Sequence, residues 1–216
     1  MRQHTLLLTI VLLIAGCSTP QHEDAWRYQA ATSTKAYAEH FLKDETILIK
    51  SNYSHAERSA KQSSDLLPLA RLYLSSCALN RAVLVDDPCG DFATTQNLYD
   101  DAELDAYYAM LTQKLTPEAV GDLPYRYRSF ARAYLKNDAK AIRSAIDTLS
   151  PLLSKMVAAS LARDYLSEGQ ITSIIDDASK LGYRRAVIAW MKHLQSVTTD
   201  PQQRELLQKK LELLNR

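Results

Sequence analysis

Three cysteines are the residues of this 216-residue chain whose positions most directly suggest chemistry. Cys17 follows an uncharged, largely apolar run at residues 5–16, and Arg2 precedes that run. A membrane-spanning helix needs about 20 apolar residues, so the run is too short to cross a bilayer. A short apolar run behind a positive charge is typical of a secretory signal. We therefore predict that residues 1–16 form a signal peptide and that the remaining chain is exported.

The end of this run has a specific order of residues, Leu13, Ile14, Ala15, Gly16 and Cys17. An aliphatic residue, two small residues and a cysteine resemble the lipobox of bacterial lipoproteins. The resemblance implies a diacylglycerol thioether on Cys17 and acylation of its freed amine, which together form a firm membrane anchor. The next residue is serine rather than aspartate, which by the enterobacterial sorting rule implies the outer membrane. The alternative is an ordinary signal peptide followed by an incidental cysteine.

The two other cysteines, Cys77 and Cys89, remain in the mature chain. An even number of cysteines in an exported protein favours a disulfide, because such proteins mature in an oxidising compartment. The bond would close a loop of about a dozen residues and contribute roughly 3 kcal/mol on the loop-entropy model. A metal site would need more cysteine or histidine ligands, and a catalytic redox pair would need Cys-x-x-Cys spacing. The sequence thus predicts a structural disulfide and no metal or other cofactor.

Known catalytic motifs do not occur in the sequence. Its glycines lie too far apart for a phosphate-binding loop or a nucleophile elbow. Its histidines lack a recognisable metal-ligand spacing, and the Glu-Ser dipeptide of lytic transglycosylases does not occur. We therefore predict a protein that is not an enzyme and has no small-molecule substrate. An unrecognised enzyme on a helical scaffold is the less favoured alternative.

The elements that would position these residues are predicted to be helices. Alanine, leucine and long polar side chains dominate, and the alternating pattern of strands is nearly absent. Ser54 is predicted to cap a helix, as are Ser150 and Asp200 before a proline, and Gly169 and Gly182 are predicted to end helices. The predicted helices are 23–42, 55–63, 66–85, 101–115, 124–136, 139–149, 151–167, 170–181, 183–197 and 201–215, with a loop at 86–100.

A five-residue pattern, Ala-Arg-x-Tyr-Leu, occurs three times in the chain, at 70–74, 131–135 and 162–166. Its spacing indicates a period near 31 residues with one degenerate unit, and such periods are typical of solenoids. The unit that begins at Ala131 and ends near Pro151 resembles a tetratricopeptide repeat. The resemblance implies an all-α, right-handed superhelix of antiparallel helix hairpins that binds proteins. We predict one all-α repeat domain at 24–216, preceded by a lipidated tether at 17–23.

The arginines of this pattern are candidate partner contacts. If each tyrosine packs inward, the arginine beside it lies at the edge of the packed face, and the arginines form a ladder along a groove. Guanidinium groups bind carboxylates through two hydrogen bonds, so the ladder suits an acidic or C-terminal peptide. The alternative is that each arginine pairs with an acid of the adjacent repeat. The predicted partner-binding residues are Arg71, Arg128, Arg132, Arg163, Tyr125 and Tyr127.

Charge is unevenly distributed along the chain. Residues 86–105 are acidic and residues 126–143 are basic. The acidic segment lacks the residue spacing of a calcium loop, so we favour helix-start acids and a solvated loop. The basic segment is interpreted as a docking surface for an acidic partner or glycan. The alternative is a solvated face, or a face that the neighbouring acidic segment neutralises.

The 26 basic and 25 acidic residues nearly cancel, which argues against nucleic-acid binding.

We predict an outer-membrane lipoprotein that faces the periplasm and acts as a scaffold or adaptor for protein insertion, pilus or secretion machinery, or polysaccharide export. The alternative is an accessory or regulatory lipoprotein of cell-wall synthesis. The tether at 18–23 reaches about 20 Å at most, which favours a partner protein that is itself at the outer membrane.

Overall fold

A computed structural model describes residues 25–215, and this part of the chain consists of helices and turns without strands. The predicted all-α fold class is therefore confirmed. The predicted signal peptide, Cys17 and the predicted tether lie outside the described residues. The helices are α1 (Ala25–Lys43), α2 (Thr46–Ala60), α3 (Leu67–Ala82), α4 (Gly90–Ala93), α5 (Ala102–Leu111), α6 (Arg128–Leu135), α7 (Ala139–Thr148), α8 (Leu152–Leu161), α9 (Glu168–Lys180), α10 (Arg184–Val197) and α11 (Pro201–Leu214).

Several helix ends follow directly from local sequence. The side chain of Asp200 caps α11 by accepting a hydrogen bond from the Gln202 backbone, with a proline in the first turn. Gly182 has a φ of +68° just after α9, which a glycine adopts without steric cost. Asp138 caps α7 in the same way as Asp200 caps α11. Links of three residues each make α9, α10 and α11 consecutive antiparallel helices, as the sequence predicts.

Other predicted ends are wrong. Ser54 lies inside α2, which begins at Thr46 rather than near residue 55. Gly169 lies in the first turn of α9, because Ser167 and Gln170 form a capping box that starts the helix. The segment 86–100, predicted as a loop, contains the single turn of α4. The N-cap of α8 is Pro151, without a side-chain cap from Ser150.

The largest departure concerns the predicted helix 151–167. Here α8 ends at Leu161, and the third copy of the repeated pattern continues into a short 3-10 turn at Arg163–Tyr165. Contacts with the preceding hairpin hold this turn: Arg143 donates to the Tyr165 carbonyl at 3.1 Å, and the Tyr165 hydroxyl donates to Asn137 at 3.1 Å. The three copies of the pattern are therefore not structurally equivalent.

The main hydrophobic core runs through the described chain and joins helices that are distant in sequence. Its largest fully buried side chains include Trp190, Phe92 and Phe130. Helix α3 packs against α8, and α1 packs against both α3 and α10. The Trp190 indole donates to the Ala82 carbonyl at 2.9 Å, which connects α10 to the end of α3. The C-terminal helices therefore close against the N-terminal ones, a contact that a linear array of repeats does not have.

Candidate functional site

A cleft of about 750 Å³ lies beside α10. Helix α10 forms one wall, and the ends of α1 and α3 and the 3-10 turn after α8 form the other. We call it the α10 cleft. Its volume is within the range of ordinary ligand sites. The residues that line it are Phe41, Asn80, Val83, Leu84, Val85, Arg163, Asp164, Arg185, Ile188, Ala189, Lys192, His193, Ser196 and Val197.

The sequence of α10 separates a core face from a cleft face. Ala186, Trp190 and Leu194 recur every four residues and are buried. The residues on the other side, such as Ile188 and Lys192, are only partly buried or exposed. Because residues three and four apart share a helix face, this pattern places the cleft residues in one row along the helix.

One end of the α10 cleft is fixed by an ionic contact with the turn between α1 and α2. Arg185 donates to Asp44 from Nε at 3.0 Å and from Nη2 at 2.6 Å, and Arg184 also pairs with Asp44. The Arg185 guanidinium lies 4.2 Å from the centre of the Phe41 ring, a cation–π geometry. Arg185 is therefore held in place by its neighbours, and Asp44 offsets part of its charge.

The other cations of the α10 cleft are freer. Lys192 is exposed and forms no hydrogen bond or ion pair with any residue in the range 25–215. Arg163 approaches Asp86 only to 3.9 Å, too far for a hydrogen bond. Asp86 instead accepts a 2.7 Å hydrogen bond from Arg81. Two guanidinium or ammonium groups at the cleft are thus available to an anion.

His193 lies in the wall of the α10 cleft, with its ring against that of Trp190 at 5.9 Å between centres. Burial is the largest cause that lowers the pKa of His193, and the charge of Arg163 lowers it further. Asp164 and a hydrogen bond that the ring donates to the Arg163 backbone act in the opposite direction. Its Nε2 atom is buried and has no hydrogen-bond partner among the described residues. The ring is therefore neutral at neutral pH and carries one unsatisfied polar atom.

The structure does not bring the predicted arginine ladder together. Arg163 lines the α10 cleft, Arg71 lines a second cleft beside α1, and Arg132 lines a third beside the Glu118–Gly121 turn. The third copy of the pattern lies in a turn rather than on a helix, which removes Arg163 from any row of helical arginines. Arg71 also pairs with Asp101 at 3.2 Å, as the alternative interpretation requires.

The remaining predicted contacts have different environments. Arg128 donates from Nε to the Leu123 carbonyl at 2.8 Å and lies 5.9 Å from the ring centre of Tyr125. Tyr125 is 85% exposed and accessible to a partner. Tyr127 is only 4% exposed and stacks on Tyr107 with ring centres 5.3 Å apart. Core packing thus buries the ring of Tyr127, and in this structure the ring is not accessible to a partner.

The basic segment 126–143 does not form a stripe on one helix. It spans a 3-10 turn, α6 and α7, so Lys140 lies on a different helix from Arg132. Among the described residues, the acids of segment 86–105 pair with Arg71, Arg81 and Arg163 rather than with this segment. The neutralisation proposed for it from the sequence therefore does not occur there.

Cys77 and Cys89 lie at disulfide distance, with their Cα atoms 5.2 Å apart. An Asp87 carboxylate oxygen lies near both sulfurs, and this carboxylate also accepts a 2.7 Å hydrogen bond from the Cys89 backbone. Sulfurs that are bonded to each other offer no thiolate to a metal, so this cluster fits a structural crosslink better than a metal centre.

We find no match between this chain and models of known protein families, curated proteins or solved structures. None of the helices within residues 25–215 combines the length and the apolar composition needed to cross a bilayer.

The α10 cleft is the feature that the sequence analysis missed. Its cations, Arg163, Arg185 and Lys192, come from two elements separated by about one helix in the chain. The amphipathic pattern of α10 is visible in the sequence, but the sequence does not show that α10 packs against the ends of α1 and α3. That contact depends on Asp44 and Ala82, which are distant from α10 along the chain.

Proposed function

We propose that this protein is a lipid-anchored binding protein of the bacterial outer membrane, with its helical body in the periplasm. The observation that carries the proposal is the lipobox-like order of residues that ends at Cys17, directly after the apolar run of a signal. Cys77 and Cys89 support it, because a cysteine pair at disulfide distance suits an oxidising compartment.

The proposed role is that of a non-catalytic scaffold or adaptor in an envelope assembly. The sequence has no recognised catalytic motif, and the body offers clefts between helices in which a partner segment could lie. Locally, the α6–α7 hairpin, with Asn137 and Asp138 in its turn, is similar to one unit of a tetratricopeptide array. We propose a tetratricopeptide-like arrangement for such helix hairpins, which would stack into a superhelix only over the part of the body where they are consecutive. The partner classes are protein-insertion, pilus or secretion, and polysaccharide-export machinery, with cell-wall synthesis as the alternative.

Metabolic labelling with a clickable fatty acid tests the anchor. We expect wild-type protein to carry the label and Cys17→Ala to lose it, because only the cysteine sulfur can form the thioether. The Ser18→Ala variant is the matched control and should keep the label. Equal labelling of wild type and Cys17→Ala would refute the lipid anchor.

Membrane fractionation tests the location. Ser18→Asp introduces the residue that the sorting rule associates with the inner membrane, so this variant should move there while Ser18→Ala stays in the outer membrane. Cross-linking of intact envelopes, followed by purification and mass spectrometry, then identifies partners. Recovery of no specific protein from wild type would refute the scaffold role.

A further inference from the structure

We propose that the α10 cleft binds an extended peptide segment that carries both carboxylates and apolar side chains. This inference rests on the proposed scaffold function and names the surface and the chemistry through which a partner protein would be held. It differs from the arginine ladder expected from the repeats, because only Arg163 of that ladder lies at the α10 cleft.

The length of the α10 cleft suits an extended segment. Its row of side chains on α10 runs from Arg185 to Val197, which at 1.5 Å per residue is about 18 Å of helix axis. An extended chain rises about 3.3 Å per residue, so five or six residues of a partner would span this distance. A single small anion would contact only a fraction of the row.

The charges of the α10 cleft favour an acidic occupant. Three permanent cations line it, Arg163, Arg185 and Lys192, against the single carboxylate of Asp164. Asp44 already offsets part of the charge of Arg185, which leaves Lys192 and Arg163 with no hydrogen-bonded carboxylate of their own within residues 25–215. A partner carboxylate near these two groups would form charge-assisted hydrogen bonds that the free protein lacks.

Apolar side chains lie beside these cations. Val85 is 50% exposed at the end of α3, and Val197 is also exposed at the end of α10. Ile188 and Leu84, which are partly buried, line the cleft between them. An occupant with carboxylates alone would leave this surface in water, whereas alternating apolar and acidic side chains would cover both kinds of lining.

His193 adds an independent sign that the cleft wall is incomplete. Buried polar atoms in proteins nearly always have a hydrogen-bond partner, yet its Nε2 atom has none among the described residues. The Nε2 atom itself is buried, so a backbone group of an occupant would reach it only after the His193 ring turned toward the cleft that it lines.

Fluorescence anisotropy with dye-labelled six-residue peptides tests the proposal on the mature chain with Cys17→Ser, which keeps the protein free of lipid. One peptide alternates Leu and Glu, one Leu and Gln, and one Leu and Lys. We expect saturable binding of the Leu/Glu peptide, roughly tenfold or more tighter than that of the Leu/Gln peptide. Raising the salt concentration should weaken the binding of the Leu/Glu peptide.

Charge reversal localises the binding. The double variant Arg163→Glu, Lys192→Glu should bind the Leu/Glu peptide roughly tenfold to a hundredfold more weakly and gain affinity for the Leu/Lys peptide. The matched control is Lys114→Glu, an exposed lysine that lies outside the described clefts. It should bind like wild type. Circular dichroism and thermal melting of both variants check that the fold is unchanged.

Several results would overturn the proposal. Equal binding of the Leu/Glu peptide by wild type and the double variant would do so, as would a preference of wild type for the Leu/Lys peptide. Binding of anionic phospholipid vesicles that the peptide does not displace, lost in the double variant, would assign the cleft to a lipid instead. Recovery of the same envelope partners by wild type and the double variant would overturn the cleft proposal while leaving the scaffold function intact.

Discussion

A single substitution at Trp190 tests how α10 is joined to the end of α3. Its side chain is fully buried, and its indole donates to the Ala82 carbonyl at 2.9 Å. Ala82 is the last residue of α3, and carbonyls in the last turn of a helix have no partner within the helix. Trp190→Phe keeps an aromatic ring but removes the donor, so it leaves this buried carbonyl without a hydrogen bond.

The expected cost has two parts. An unsatisfied buried carbonyl costs about 1–3 kcal/mol. The smaller phenylalanine ring leaves a space in the core, which adds about 1 kcal/mol. The free energy of unfolding should therefore fall by about 2–4 kcal/mol. For a domain of this size each kcal/mol lowers the melting temperature by about 2–4 °C, so we expect a decrease of roughly 5–15 °C.

Urea denaturation followed by circular dichroism at the helix band measures this change. Trp26→Phe is the matched control, because its ring is partly exposed and its noted contact is with the Arg27 guanidinium, 5.0 Å away. That variant should lose less than about 1 kcal/mol. Equal losses for the two variants would refute the role assigned to the contact between α10 and α3.

Three further predictions concern the crosslink, the pH dependence and the ionic contact of α10. Thiol alkylation of protein from the periplasm should leave Cys77 and Cys89 unmodified until a reductant is added. The double Ser variant should lose roughly 3 kcal/mol of stability in urea. Two freely alkylated thiols in the native protein would rule out the bond. The pKa of His193 is lowered in the folded state, so the unfolded chain takes up the proton first as the pH falls. Stability should therefore fall as the pH decreases below about 6.5. The His193→Gln variant should make the urea midpoint less dependent on pH in that range. Asp44→Asn should lower the free energy of unfolding by about 1 kcal/mol, since the pairs of Asp44 with Arg184 and Arg185 are partly exposed. The control variant Asp176→Asn should have little effect. No difference between the two variants would contradict the proposed anchoring of α10.

Local chemistry made much of the secondary structure predictable. Asp200 before a proline and Gly182 in the left-handed region act within one turn of chain, so their effect is visible in the sequence. The all-α class follows in the same way, from composition and helix caps. The cysteine pair was predictable for a different reason, since two cysteines remain once Cys17 is assigned to the predicted lipid anchor.

Contacts between distant residues explain what the sequence did not show. The repeated pattern at 162–166 has the residues of a helix, yet hydrogen bonds from Arg143 and to Asn137 hold it as a turn. Tyr127 has the composition of a surface contact, yet Tyr107 from α5 stacks on it. Both outcomes depend on tertiary packing, which can override local preference.

The closure of α10 against the N-terminal helices links the fold to the proposed site. Trp190 joins α10 to the end of α3, and Arg185 joins it to the turn after α1, so the two walls of the α10 cleft come from distant parts of the chain. Each of these side chains is occupied by its structural contact. Lys192 and Arg163 have no such contact of comparable strength, so their replacement should change binding with little effect on stability. Substitutions of Trp190 and Arg185 should instead lower both the stability of the fold and the peptide binding of the cleft. If the two pairs of residues differ in this way, the cleft is a binding surface rather than a gap left by packing.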